Sequence, residues 1–157
     1  MNTKKVEKLI HDYLLESGES LAIAESLTGG LVSSRITDIP GSSNYFLCGV
    51  CAYANEAKIK LLKVDPNTIK DHGAVSEECA KEMLLGILDL TGADWGIATT
   101  GIAGPTGATE TKPLGLVYIA AGNKLRFVCY RFEFSGDRLD VKEKSAQKAL
   151  EILYDLF

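Results

Sequence analysis

No stretch of this 157-residue sequence approaches the roughly 20 consecutive apolar residues that cross a bilayer. An excess of positive charge is missing too. Seventeen Lys and Arg stand against 21 Asp and Glu, for a net charge of −4. Neither nucleic acid nor a membrane surface is therefore an expected partner, although a local cation for a small phosphate is compatible with this balance. Histidine is scarce, and His11 and His72 lie far from any cysteine cluster. Cys48 and Cys51 spell C-x-x-C inside FLCGVCAYA, a strand-like run in which side chains three apart point to opposite faces. Without a second such pair, no metal site is expected. Internal repeats, linkers and low-complexity segments are also lacking.

What is present suits one globular domain spanning residues 1–157: 46% apolar residues, enough for a core, and 24% charged. The opening MNTKKVEKLI reads as a charged amphipathic helix, not a signal peptide, so a cytoplasmic protein with reduced thiols is expected. Helical spacing runs from Thr3 to Glu16 and stops at Ser17-Gly18. Leu21 to Ala24 is a buried strand and Gly30 to Thr37 a helix. Phe46 to Ala54 reads as the second strand, after which Asn55 caps a helix from Glu56 to Lys63. Asp65-Pro66 and Ser76 open two further helices. Trp95 to Thr100 is a third strand. Two more, Leu114 to Ala121 and Leu125 to Phe134, are joined through a hairpin at Gly122-Asn123. Asp137 caps the closing helix. The interleaving predicts a three-layer α/β/α domain with a mixed sheet of about five strands.

Four stretches can carry chemistry. Glu25-Ser26-Leu27-Thr28-Gly29-Gly30 joins a strand to a helix, where outward backbone N–H groups attract a phosphate or oxyanion. Alternatively Thr28 is an ordinary cap, and the glycines serve packing. In the second stretch Ser43, Tyr53 and Lys58 can converge: a serine needs a base, and a lysine serves only if partly neutral. Lys58 falls in a first helical turn, which disfavours a cation, and burial would push it further that way. Tyr53 could relay a proton. The competing possibility is a solvated Lys58 beside Lys60 and Lys63. The third stretch runs from Thr99 to Gly107, with Thr100, Gly101 and Gly104 in a glycine-rich loop. It matches neither dinucleotide nor P-loop patterns, and either cradles a ligand or merely connects strands. Arg138, one residue past a helix cap, is electrostatically misplaced there. It answers an anion, a bound phosphate or Glu25, or else it is a surface residue.

In order, AESLTGG, ITDIPGSS, YANEAK, HGAVSEE, TTGIAGPTG with KPLG, and SGDR resemble the C-terminal domain of the CinA proteins, a family that includes stand-alone nicotinamide-nucleotide amidases. The resemblance covers the chain from first helix to last. It implies hydrolysis of nicotinamide mononucleotide to nicotinate mononucleotide and ammonia, without metal or cofactor, by serine/lysine acyl transfer. Carried onto matching positions, it implies Ser43 as nucleophile, with Ser26 the competing choice, Lys58 as base and Tyr53 as assistant. Ser26, Thr100 and Arg138 complete the pocket. Leu27 stands where cysteine is usual, Leu116 where threonine is common, and Lys142 where arginine is frequent. These departures leave open a catalytically inactive nucleotide-binding domain, or an amidase for another carboxamide. Long members of the family carry a further domain ahead of this part; only the amidase part is expected here. Sheet edges and small size point to a homo-oligomer, a dimer being the simplest.

Overall fold

The computed structural model describes residues 5–157. The expected start of the first helix at Thr3 lies outside the described residues. Helix α1 runs Val6–Ser17 and ends where Gly18, at φ 72°, turns its N–H back to the Leu14 carbonyl. There follow β1 (Leu21–Glu25), α2 (Leu31–Thr37), a 3₁₀ turn (Ser42–Asn44) and β2 (Phe46–Cys51). The middle of the chain forms α3 (Asn55–Leu62), α4 (Pro66–His72) and α5 (Glu77–Thr91). Strands β3 (Trp95–Gly101), β4 (Leu116–Gly122) and β5 (Phe127–Glu133) precede the last helix, α6 (Arg138–Asp155).

The five strands form one mixed sheet in the order β2-β1-β3-β4-β5. β1 pairs parallel with both β2 and β3, whereas β4 runs antiparallel to β3 and β5. Alternation along the central strands sends Leu21, Ile23, Ile97, Val117 and Ile119 into a cluster with Ile10, Val32 and Leu150 from α1, α2 and α6. The opposite face presents Ala22, Ala24, Ala98 and Ala120 to Met83, Leu84 and Ile87 of α5. Small side chains on that face let α5 lie close to the sheet. The predicted three-layer α/β architecture is therefore observed.

Three local details differ from the sequence reading. β2 ends at Cys51, because the chain turns away before Ala54 to start α3. The N-cap of α3 is Ala54, so Asn55 is its first helical residue and caps nothing. The hairpin does not turn at Gly122-Asn123, since Gly122 still pairs with Phe127 in the ladder. Its tip is Lys124-Leu125, closed by Asn123: the backbone N–H donates to the Arg126 carbonyl at 2.9 Å, and Oδ1 accepts from Leu125 and Arg126 N–H at 2.9 and 2.7 Å. The other three caps, at Asp65, Ser76 and Asp137, do form. Asp65 accepts from Asn67 N–H, Ser76 accepts from Cys79 N–H, and Asp137 makes a reciprocal capping box with Asp140.

The topology brings the C-terminal ends of β1, β2 and β3, the start of β4 and the chain leaving β5 to one rim of the sheet. Ligands in open α/β sheets bind at that kind of rim, beyond the carboxyl ends of the parallel strands.

Candidate active site

Five segments meet in a recess of about 180 Å³ at this rim, lined among others by Ser26, Tyr53, Asn55, Lys58, Thr100 and Arg138. Ser26 is the first residue beyond β1. Its backbone is fixed by an N–H to Thr99 carbonyl bond of 3.0 Å and by its own carbonyl accepting from Gly29 at 3.0 Å. Its hydroxyl has no protein hydrogen-bond partner among the described residues and is free to meet a ligand.

Lys58 is the most unusual member. It is only 2% exposed. Its Nζ donates to the Tyr53 carbonyl at 3.0 Å, and no carboxylate accompanies it. Burial is the main cause that lowers its pKa from the ordinary lysine value, and only the thiolate form of the nearby Cys79 would oppose it. That thiol is itself pushed up to about 11, again chiefly by burial, and so remains protonated. The solvated alternative for Lys58 is thus excluded, and burial shifts its amine in the direction of the neutral form that a base requires.

Tyr53 and Arg138 close the recess from two directions. The Arg138 guanidinium donates to the Tyr53 hydroxyl at 2.9 Å and to the Gly104 carbonyl at 2.8 Å. It therefore ties α6 to the glycine-rich loop and to the segment after β2. Thr100 is buried and donates from Oγ1 to the Ala74 carbonyl at 2.7 Å. That bond pins the α4–α5 connection, whose Ala74 and Val75 form another wall together with Gly101.

The predicted residues do not all assemble. Ser43 sits in the 3₁₀ turn before β2, whereas Tyr53 and Lys58 follow the strand's other end. Six strand residues separate the two ends, roughly 20 Å at about 3.3 Å per residue. Ser43 is thus at the far rim of the sheet, and the serine that shares the recess with Lys58 is Ser26.

Glu25 is also reassigned. It is fully buried, and its carboxylate accepts from Val32 N–H at 2.9 Å, Ser33 N–H at 3.1 Å and Ser33 Oγ at 2.7 Å. The protein supplies its own anion to the N-terminus of α2, so Glu25 is a helix cap and not a pocket wall, and it is not the partner of Arg138. Thr28 is likewise buried and bonded to Thr99 through their hydroxyls at 2.8 Å. Gly29 and Gly30, at φ 59° and 102°, line a separate cleft of about 370 Å³ with Leu139 and Lys142. Gly104 reaches the recess only through its carbonyl bond to Arg138 and lines an adjoining, more apolar cavity of about 540 Å³ with Pro105, Leu114 and Phe134.

Sequence reasoning missed Asn55, Ala74 and Val75 as lining residues. The HGAVSEE stretch carries a signal for the last two, whereas Asn55, expected as a cap, lines the recess from the first turn of α3. A larger cavity, about 1000 Å³ between α1 and α6, contains none of the predicted site residues. Leu27 and Leu116, two of the unusual residues, are buried side chains. Among the described residues no group of three or more His, Cys, Asp or Glu is arranged to hold a metal ion, and no helix is long and apolar enough to cross a membrane.

Comparison with known proteins places these features in a family context. The CinA C-terminal domain model matches residues 3–157. A CinA-like protein of Chlorobaculum tepidum is 49% identical over 150 residues, covering 92% of this chain and 36% of its own length. A CinA-like protein of Thermotoga maritima is 44% identical over 153 residues, covering 98% and 37%. The chain thus spans little more than a third of the length of these curated relatives. Among solved structures, a competence damage-inducible protein A from Klebsiella pneumoniae superimposes with a TM-score of 0.93 at 35% identity, covering 99% of this chain and 96% of that one. A competence/damage inducible protein from Agrobacterium tumefaciens gives 0.88 at 32% identity, with 96% and 94% covered.

Proposed function

The chain belongs to the CinA C-terminal domain family, and from that premise we propose that it is an amidohydrolase that converts nicotinamide mononucleotide to the nicotinate nucleotide and ammonia. What supports this reading most is the pairing of an unpartnered Ser26 hydroxyl with a desolvated Lys58 amine in one recess. Serine becomes a nucleophile when a neighbouring base takes its proton, and a lysine can be that base once burial keeps it neutral.

The chemistry then follows from position. Lys58 Nζ removes the Ser26 proton as Oγ attacks the carboxamide carbon, giving a tetrahedral oxyanion. Ser26 lies at a strand-to-helix turn, and the backbone N–H groups that follow it, of Leu27 and Thr28, are the donors this reading assigns to that oxygen. The Lys58 ammonium returns its proton to the departing nitrogen, which leaves as ammonia, and a water molecule deprotonated by Lys58 releases the acid from Ser26. Tyr53 and Arg138 hold the rim over the ring. The positive pyridinium raises the electrophilicity of the carbon under attack.

Ammonia release from nicotinamide mononucleotide by the purified protein tests the reading. Ser26→Ala and Lys58→Ala are expected to lose at least about 100-fold in kcat, in keeping with the loss of a nucleophile or general base. Ser43→Ala is expected to keep near-normal turnover. Near-normal rates in both Ser26→Ala and Lys58→Ala would reject the assignment.

A further inference from the structure

At one place along their contact, helices α3 and α5 leave no space for a side chain between their backbones. A Cβ built at Gly86, buried in α5, would overlap the Leu62 carbonyl oxygen and lie 2.7 Å from its carbonyl carbon and 3.0 Å from its Cα. All three atoms are backbone and cannot swing aside. Glycine in a helix interior is destabilising by about 1 kcal/mol relative to alanine, and no left-handed φ calls for it here. The close approach itself is the reason for its presence.

That approach bears directly on the recess. Leu62 and Lys58 are four residues apart on α3, hence on one face, and they are that helix's two buried side chains. Cys79, Met83 and Gly86 form the matching face of α5, with Leu62, Cys79 and Met83 in one apolar cluster. The groups around Lys58 are the Cys79 thiol from α5, the Tyr53 carbonyl from the β2–α3 connection, Asn55 from the start of α3 itself, and Arg138 from α6 across the recess.

We propose that Gly86 is a positioning residue for Lys58: its missing side chain seats the last turn of α3 against α5, and this seating keeps the amine one turn earlier dry and facing the recess. Its consequence for catalysis rests on the reading of Lys58 as the base; the seating itself does not.

Gly86→Ala in the full chain tests this through two readouts. NMR titration of ¹³Cε-labelled lysine, with the Lys58 signal assigned by its loss in Lys58→Met, follows the amine without reference to activity. The pH–rate profile for ammonia release follows it through catalysis. Gly86→Ala is expected to move the Lys58 titration up toward an ordinary lysine by about one pH unit. Below that titration, kcat would fall about tenfold, since one unit is a tenfold change in the neutral fraction. Leu62→Ala, which loosens the same contact by removing atoms instead of adding one, is expected to shift the titration in the same direction. It decides the matter alone if Gly86→Ala does not fold. Ile36→Ala, in the cluster on the other face of the sheet, serves as the control for lost stability and is expected to leave the titration in place.

A folded Gly86→Ala with Lys58 titrating as in the parent, an unshifted Leu62→Ala, or an equal shift in Ile36→Ala would each overturn the proposal. If the parent released no ammonia, the amidase reading would fail while the NMR arm still decided the role of Gly86.

Discussion

Lys58 is a long cationic side chain held where water barely reaches, bonded to a carbonyl and not to a carboxylate. Such a placement opposes folding, because burial penalises the charged form. The sign of the pH effect follows. Between the lowered folded pKa and the unfolded value of about 10.4, the unfolded chain binds the extra proton, so this residue makes stability rise with pH across that window. Below the folded pKa the penalty is present in full. Lys58→Met keeps the stem and removes the amine. It is expected to abolish turnover while raising stability at pH 7 by about 1 kcal/mol, as for other replacements of strained functional groups. The gain should shrink as pH approaches 10. Urea denaturation of the two proteins at pH 7 and pH 10 measures both terms; an equal or lower midpoint for Lys58→Met at pH 7 would contradict the account.

Among the elements, α2 shows how a single residue type can carry two meanings. Its N-terminus is an attractive place for an anion, as the glycines and hydroxyls before it suggested, and an anion is there: the Glu25 carboxylate. Glu25→Ala removes three hydrogen bonds from one helix end and is expected to lower stability by about 2 kcal/mol, with Glu25→Gln intermediate. Chemical denaturation checks the order. The helices and strands were legible because apolar spacing and cap residues are local signals, and Asp65, Ser76 and Asp137 act where local chemistry placed them. The turn at Lys124-Leu125 was not, because ladder register between β4 and β5 is settled by pairing across the sheet and overrode a glycine-asparagine preference. Ser43 was misplaced for a related reason. Proximity in sequence to Lys58 conceals that a whole strand lies between them, and a strand carries its two ends apart where a turn would have brought them together.

On the scale of the whole molecule, the site is a property of the rim and of no single motif. Ser26, Tyr53, Lys58, Thr100 and Arg138 were all picked out from sequence, yet their convergence depends on a strand order that local patterns do not encode. Occupancy of the recess should therefore stabilise the entire fold. With Ser26→Ala, which can bind without turning over, nicotinamide mononucleotide at 100 times its Kd is expected to add about 2.7 kcal/mol. For a domain of this size that corresponds to a rise in Tm of roughly 5–11 °C, at about 2–4 °C per kcal/mol. Scanning calorimetry with and without the nucleotide measures it, and an unchanged Tm would mean that the recess does not take this ligand.

Arg138 contributes the last wall from the start of α6, and its two bonds reach back to Tyr53 and Gly104. During synthesis, then, the ribosome must deliver the start of α6 before the recess has all of its walls. A nascent chain arrested before that helix would carry both Ser26 and Lys58 and still lack the side chain that bridges Tyr53 to the glycine-rich loop.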